Sequence, residues 1–203
     1  MEPLRRFVDA DNSCLFSSIG YLLDNDQFSE TTKLQYRQIL ATYIQDHTFE
    51  AGLFEIPKED YVQNIVNPST WGGAIELKIF SDIYQIEIAS IDVMTNRVDI
   101  FGQGKEYKNR IYVLYNGVHY DPLVFATGDD TSEDQRVFDA NDNETLISFQ
   151  EYVKIFKDAG DFVDLSNMNK FECMQCTTLF ENQEEAFEHA QNYEHWNFKE
   201  LES

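Results

Sequence analysis

Three cysteines and four histidines carry the soft-ligand and nucleophilic chemistry open to this chain, few enough to be assigned one by one. Cys173-Met-Gln-Cys176 is followed, after twelve residues, by His189 and, six positions later, by His195. That is the ligand spacing of a two-Cys, two-His zinc finger, in which thiolates on a hairpin and imidazoles on a helix close a tetrahedron about the metal. Phe171, Phe180 and Phe187 would form its small apolar core. Four protein ligands leave no position for a reacting water, so the zinc is expected to be structural. A free Cys pair beside two surface histidines is the alternative.

This assignment leaves Cys14, His47 and His119. Any thiol chemistry must therefore use Cys14, which stands where the polar run Asp9-Ala10-Asp11-Asn12 turns into Ser13-Cys14-Leu15-Phe16. At a helix N-terminus the dipole and the unpaired first-turn N–H groups favour a thiolate, and the same groups can receive the oxyanion of a tetrahedral intermediate. Position alone does not decide the matter, because a lone Cys opening a buried helix is more often an inert core residue. The base candidate is His119, in Asn116-Gly117-Val118-His119-Tyr120-Asp121. Asn-Gly between apolar runs predicts a hairpin turn with His119 on the returning strand, and strand residues two apart share a face, which brings Asp121 beside it. Nucleophile, base and orienting carboxylate are then all present. His47 reads as a helix-end residue.

These groups need elements to hold them. Helices are expected at 13–23, at 29–46 with Leu34, Ile39 and Tyr43 on or near one apolar stripe, after Pro57, and at 74–84 behind the turn Trp71-Gly72-Gly73. Strands are expected at 86–92, 98–101, 110–115 and 118–124. Helices first and mostly antiparallel strands afterwards give an α+β domain over residues 1–125. Residues 126–169 read as an acidic linker and a packing helix near 144–157, and 170–203 as the zinc finger, a ββα unit.

Three stretches resemble the motifs of ovarian-tumour (OTU) deubiquitinases: Asp11-Asn12-Ser13-Cys14-Leu15-Phe16, Trp71-Gly72-Gly73-Ala74-Ile75-Glu76-Leu77, and Asn116-Gly117-Val118-His119-Tyr120-Asp121-Pro122-Leu123. With the finger behind them, the chain is similar to the subgroup that works with the AAA ATPase called valosin-containing protein. The resemblance implies the OTU fold, helices on a small mostly antiparallel sheet, and metal-free hydrolysis of isopeptide bonds at the C-terminal glycine of ubiquitin or polyubiquitin. It carries Cys14 over as nucleophile, His119 as general base, Asp121 as the orienting acid and Asp11 as the residue fixing the oxyanion loop, although a plain loop cap also accounts for Asp11. Val118 matches a position that touches the substrate tail, with an ordinary strand residue as the alternative. Trp71, Gly72 and Gly73 would shape the channel for that tail, or simply turn the chain into a helix. Members of the subgroup usually begin with a ubiquitin-like docking domain, whereas this sequence starts close to the Cys loop, so docking on the ATPase would need a segment outside it.

The composition narrows the rival functions. Against 37 acidic residues stand 15 Lys and Arg, a formal charge of −22 that repels phosphate backbones and anionic lipid headgroups. No Lys or Arg occurs between Cys173 and His195, and Glu181, Glu184, Glu185 and Glu188 fall on the expected finger helix, so a nucleic-acid-binding finger is disfavoured. No stretch approaches the roughly 20 apolar residues of a membrane span. No apolar run follows the Arg5-Arg6 pair, and the odd cysteine count argues against a secreted disulfide framework. We therefore expect a soluble monomer of the cytoplasm or nucleus. A non-catalytic ubiquitin-binding adaptor is the main alternative to an enzyme.

Overall fold

A computed structural model describes residues 1–24, 28–50, 52–54, 56–164, 171–180, 185, 189–190, 192–193, 195 and 198–200, with residues 171 and 198–200 described by their backbone alone. Chain contacts divide it into two units, Met1–Phe162 and Val163–Ser203. Among the described residues no helix is long and apolar enough to cross a membrane.

The first unit opens with β1 (Glu2–Arg5) and continues through α1 (Cys14–Asp24), α2 (Glu30–Asp46), α3 (Lys58–Ile65) and α4 (Ala74–Tyr84). Strands β2 (Glu87–Asp92), β3 (Val98–Phe101), β4 (Asn109–Tyr115), β5 (Tyr120–Ala126) and β6 (Phe138–Asp139) follow, and α5 (Asn143–Ala159) ends the unit. The sheet runs β1-β5-β4-β2-β3, and β6 pairs with the start of β4. Every pairing is antiparallel except the central β2–β4 ladder, which is parallel from Glu87↔Arg110 to Asp92↔Tyr115, so the sheet is mixed.

Side-chain alternation on β4 explains the layering. Ile111 and Val113 join a core with α1, α2 and α4, whereas Tyr112 and Leu114 join a second core with Phe149 and Val153 of α5. Both faces of the strand are covered, which is why it reads as a continuous apolar run rather than an alternating one. The structure thus differs from the boundary expected at residue 125. Residues 126–162 lie in the first unit because α5 supplies the apolar cover for the second face of the sheet. Helix α5 starts on Asp142, whose carboxylate accepts from the N–H groups of Glu144 and Thr145, and stops at Gly160 in the left-handed region with φ 72°.

Two short strands escaped the sequence reading, β1 at an edge of the sheet and β6 beside the start of the central β4. The stripe expected on α2 is also displaced: Leu34 is exposed, and the buried face is Lys33, Tyr36, Arg37, Leu40, Ala41 and Ile44. Two cations therefore point inward on this helix. Ser29 caps it as expected, accepting from the Thr32 N–H at 3.2 Å.

In the second unit β7 (Phe171–Cys173) lies between β8 (Leu179–Phe180) and β9 (Phe198–Glu200), a third strand not expected from the sequence. Most of the expected finger helix, including Glu181, Glu184, Phe187 and Glu188, lies outside the described residues, as does the side chain of Phe171.

Phe149 has no solvent exposure and touches the rings of Tyr112, Phe125 and Phe138. Phe149→Ala should cost about 3 to 5 kcal/mol of stability by urea unfolding. A loss below about 1 kcal/mol would mean that α5 is not part of the folded core.

Candidate active site

Cys14 is the first residue of α1 and is buried, with its N–H reaching the Asp11 carbonyl at a long 3.4 Å. The preceding loop is tightly specified. Asp11 Oδ1 accepts from the Ser13 N–H at 2.7 Å, and Asp11 Oδ2 accepts from Lys33 Nζ at 2.8 Å. One carboxylate therefore caps the loop and fastens it to α2.

A second fastening comes from Arg37, 1% exposed on α2. Its guanidinium donates to the carbonyls of Asn12, Ile65 and Thr70 at 2.8 to 2.9 Å and to Ser13 Oγ at 2.9 Å, and it lies 4.0 Å above the Phe16 ring. Burial lowers the Arg37 pKa, while the charges of Asp11, Glu76 and Cys14 act in the opposite direction. A cation thus sits close to the thiol and joins the Cys loop to the 65–70 segment. The indole N–H of Trp71 adds a link by donating to Asn12 Oδ1.

Trp71 itself is 61% exposed at the surface beside this loop. Gly72 packs so closely on α1 that a Cβ would come 3.1 Å from the Phe16 ring and 3.3 Å from Leu15. Gly73 opens α4, its N–H donating to Glu76 Oε2 at 2.6 Å, and the Tyr61 hydroxyl holds the other Glu76 oxygen. Burial pushes the Glu76 carboxyl up against the pull of those two donors. Close packing and helix entry account for both glycines.

His119 lies one residue before β5, not on it. The hairpin has a four-residue loop, 116–119, closed by Tyr115↔Tyr120. The Asn116 N–H donates to the His119 carbonyl at 3.1 Å, but Asn116 Oδ1 accepts from the N–H groups of Val118 and His119 at 3.3 and 2.9 Å, taking the place of the Asn116 carbonyl. Gly117, at φ 106°, takes the left-handed position, and Val118 is half-buried in the same loop.

His119 Nε2 nevertheless meets Asp121 Oδ1 at 3.3 Å, and Cys14 lies near enough to act on the imidazole. Asp121 first, then Cys14, raise the imidazole to about 10, with burial opposing them. Sequence reasoning found all three of these residues and missed what surrounds Asp121. The carboxylate has no solvent exposure, and it accepts from the Val8 N–H at 2.9 Å and from Arg5 Nε and Nη2 at 2.7 Å each. His47 stands apart from this group, its ring stacked on Tyr43 at the end of α2.

The sequence held partial signals for the missed residues. Lys33, Arg37, Leu40 and Ile44 share one helical face with Tyr36, a spacing that marks buried charge. Arg5 offered only its place in a chain poor in cations.

In the second unit Cys173, Cys176, His189 and His195 come together, their ligand atoms all within 4.8 Å of one another. Cys173 Sγ lies 3.6 Å from His195 Nδ1, Cys176 Sγ 3.3 Å from His189 Nε2, and the two ring nitrogens 3.2 Å apart.

The family described as OTU-like cysteine protease matches residues 9–126. The chain is 34% identical over 200 residues to Ubiquitin thioesterase OTU1 of Xenopus laevis, covering 98% of this chain and 66% of that protein. It is also 34% identical over 206 residues to the OVARIAN TUMOR DOMAIN-containing deubiquitinating enzyme 2 of Arabidopsis thaliana, covering 97% of each. Apart from the Arabidopsis protein, the chain spans about three fifths to two thirds of the length of these curated relatives. A solved OTU domain in complex with ubiquitin superposes with a TM-score of 0.69 at 26% identity, covering 79% of this chain and 90% of that one. With the matched segment running from the Cys14 loop through β5, the chain belongs to the OTU-like cysteine proteases.

Proposed function

We propose that this protein is a deubiquitinase that hydrolyses isopeptide bonds at the C-terminal glycine of ubiquitin, in polyubiquitin or on modified proteins. The observation that carries this is the gathering of Cys14, His119 and Asp121, with the imidazole bound to Asp121 and acted on by Cys14, in a chain related to proteins named ubiquitin thioesterases. The solved OTU–ubiquitin complex supports ubiquitin as the bound partner.

In this reading the Cys14 thiolate attacks the glycine carbonyl, and the Cys14 N–H, held only at 3.4 Å by Asp11, turns to the developing oxyanion. His119 protonates the departing lysine amine, leaving a thioester, and then takes a proton from the water that hydrolyses it. Asp121 keeps the Nε2 proton and ring orientation fixed, and Asp11 holds the oxyanion loop through Ser13 and Lys33. Trp71, exposed and bonded to Asn12, and Val118, in the loop bearing His119, would contact the incoming tail, with Gly72 letting that wall pack closely on α1 and Gly73 turning it into α4.

For the second unit we propose a structural zinc ion. Tetrahedral Zn with two thiolates and two imidazoles has ligand–ligand edges of about 3.3 to 3.8 Å, and the three separations above fall at 3.2 to 3.6 Å. The donors would be the two sulfurs, His189 Nε2 and His195 Nδ1. A reducing compartment, cytosol or nucleus, is proposed on the pattern of cysteines in the sequence, an odd count with two of them in a Cys-x-x-Cys pair. Partnership with the valosin-containing-protein ATPase and a monomeric state rest on the subgroup resemblance.

Ubiquitin bearing a C-terminal electrophile should form a covalent adduct with the folded protein and none with Cys14→Ala. An unlabelled folded wild type would sink the enzyme reading, and binding without turnover would favour an adaptor. The pH profile tests the base. The imidazolium, raised to about 10, persists through neutral pH and is lost as pH rises through that value, so the alkaline limb of kcat/KM should lie near there. Asp121→Asn should bring that limb down toward the ordinary histidine range near about 6.5; an unmoved limb would exclude the carboxylate. Purified protein should carry one zinc by elemental analysis and lose it in Cys176→Ser. A chelator should strip the metal while leaving Cys14 labelling intact, and metal-free native protein would rule the ion out.

A further inference from the structure

Arg5 sits outside the segment matched by the family, yet its side chain is the main charged partner of the buried Asp121. Two of its nitrogens, Nε and Nη2, address Asp121 Oδ2 at 2.7 Å, and the third, Nη1, addresses Asp161 Oδ2 at 2.5 Å, just beyond α5. The guanidinium packs on the rings of Phe7 and Phe156, 4.5 and 5.0 Å from their centroids, and the Arg5 N–H donates to the Tyr152 hydroxyl at 3.1 Å. The flat, forked cation is thus held by two aromatic rings and at every nitrogen.

The charges around Asp121 come from three elements: Arg5 on β1, His119 before β5 with Cys14 behind it, and, across the guanidinium, Asp161 after α5, with Tyr152 of α5 alongside. With Oδ2 held by Arg5, only Oδ1 is left for His119 and the Val8 N–H. A carboxylate with no solvent exposure needs such a partner to remain an anion.

We propose that Arg5 is a positioning residue of the catalytic site, whose guanidinium fork orients Asp121 toward His119 and makes α5, through Asp161, part of the catalytic framework. The inference rests on the deubiquitinase reading above. Arg5 touches neither thiol nor imidazole and acts only through the carboxylate.

The test compares kcat and KM against pH for wild type, Arg5→Gln, Arg5→Lys, Asp121→Asn and Arg5→Gln/Asp121→Asn, on ubiquitin with a C-terminal fluorogenic group, with folding checked by urea denaturation. Without the fork Asp121 can turn away from His119, so the imidazolium loses part of its stabilisation and the alkaline limb of kcat/KM in Arg5→Gln should move to lower pH by about 1 unit. Arg5→Lys restores the charge and should restore the limb, but one ammonium cannot reproduce the fork, so kcat should stay about tenfold down at unchanged KM. In the double variant the alkaline limb should match that of Asp121→Asn alone, because Arg5 has no other route to the chemistry. A limb unmoved in folded Arg5→Gln overturns the proposal, as does a further limb shift in the Asp121→Asn background. If Arg5→Gln fails to fold, wild-type kcat in Arg5→Lys overturns it alone. Wild type that neither labels nor turns over would instead refute the deubiquitinase reading itself.

Discussion

A carboxylate with no access to water has to be given its solvation by the protein, and Asp121 receives it from a guanidinium, a backbone N–H and an imidazole. Satisfying that one group recruits residues from distant parts of the chain. The first strand must pair with β5 to bring Arg5 and Val8 into place, and α5 must cover the second face of the sheet to bring Asp161 and Phe156 against Arg5. The fold around the matched segment is therefore more than a support for it. It finishes the environment of the one acid on which the imidazole depends.

The nucleophile side follows the same logic with the signs reversed. Arg37 is a buried cation solvated by carbonyls of the Cys loop and the 65–70 segment, and Lys33 neutralises Asp11. Loops lacking regular hydrogen bonding acquire a fixed shape because charged groups from α2 have nowhere else to place their protons. An aliphatic residue at 37 would leave the carbonyls of Asn12, Ile65, Pro68 and Thr70 without this donor. The inward cations thus trade some helix stability for a rigid approach to the thiol.

How much of this was legible in the sequence depended on whether a feature was local. The helices at 14–24 and 74–84 follow from apolar runs and polar boundaries, and the thiol, imidazole and acid follow from residue type, elimination and spacing. The Cys and His cluster of the second unit likewise follows from short-range spacing. Sequence alone could not show that β1 is a strand, since four residues with Pro3 among them pair only because β5 presents an open edge. Nor could it place His119 in the loop, where its N–H turns to the Asn116 side chain instead of the Asn116 carbonyl. Helix α5 was visible by its periodicity, but which face of the sheet it covered was not, because β4 reads apolar on both.

The span between Arg5 and its partners also bears on how the protein is born. Arg5 is 116 residues from Asp121 and 156 from Asp161. At about 5 to 20 residues per second, the carboxylate network around the site closes seconds after Arg5 and Cys14 have been made. Until then the nascent chain carries its nucleophile without a finished proton relay. Long-range pairing of the first strand therefore makes completion of the site wait on synthesis of nearly all of the first unit.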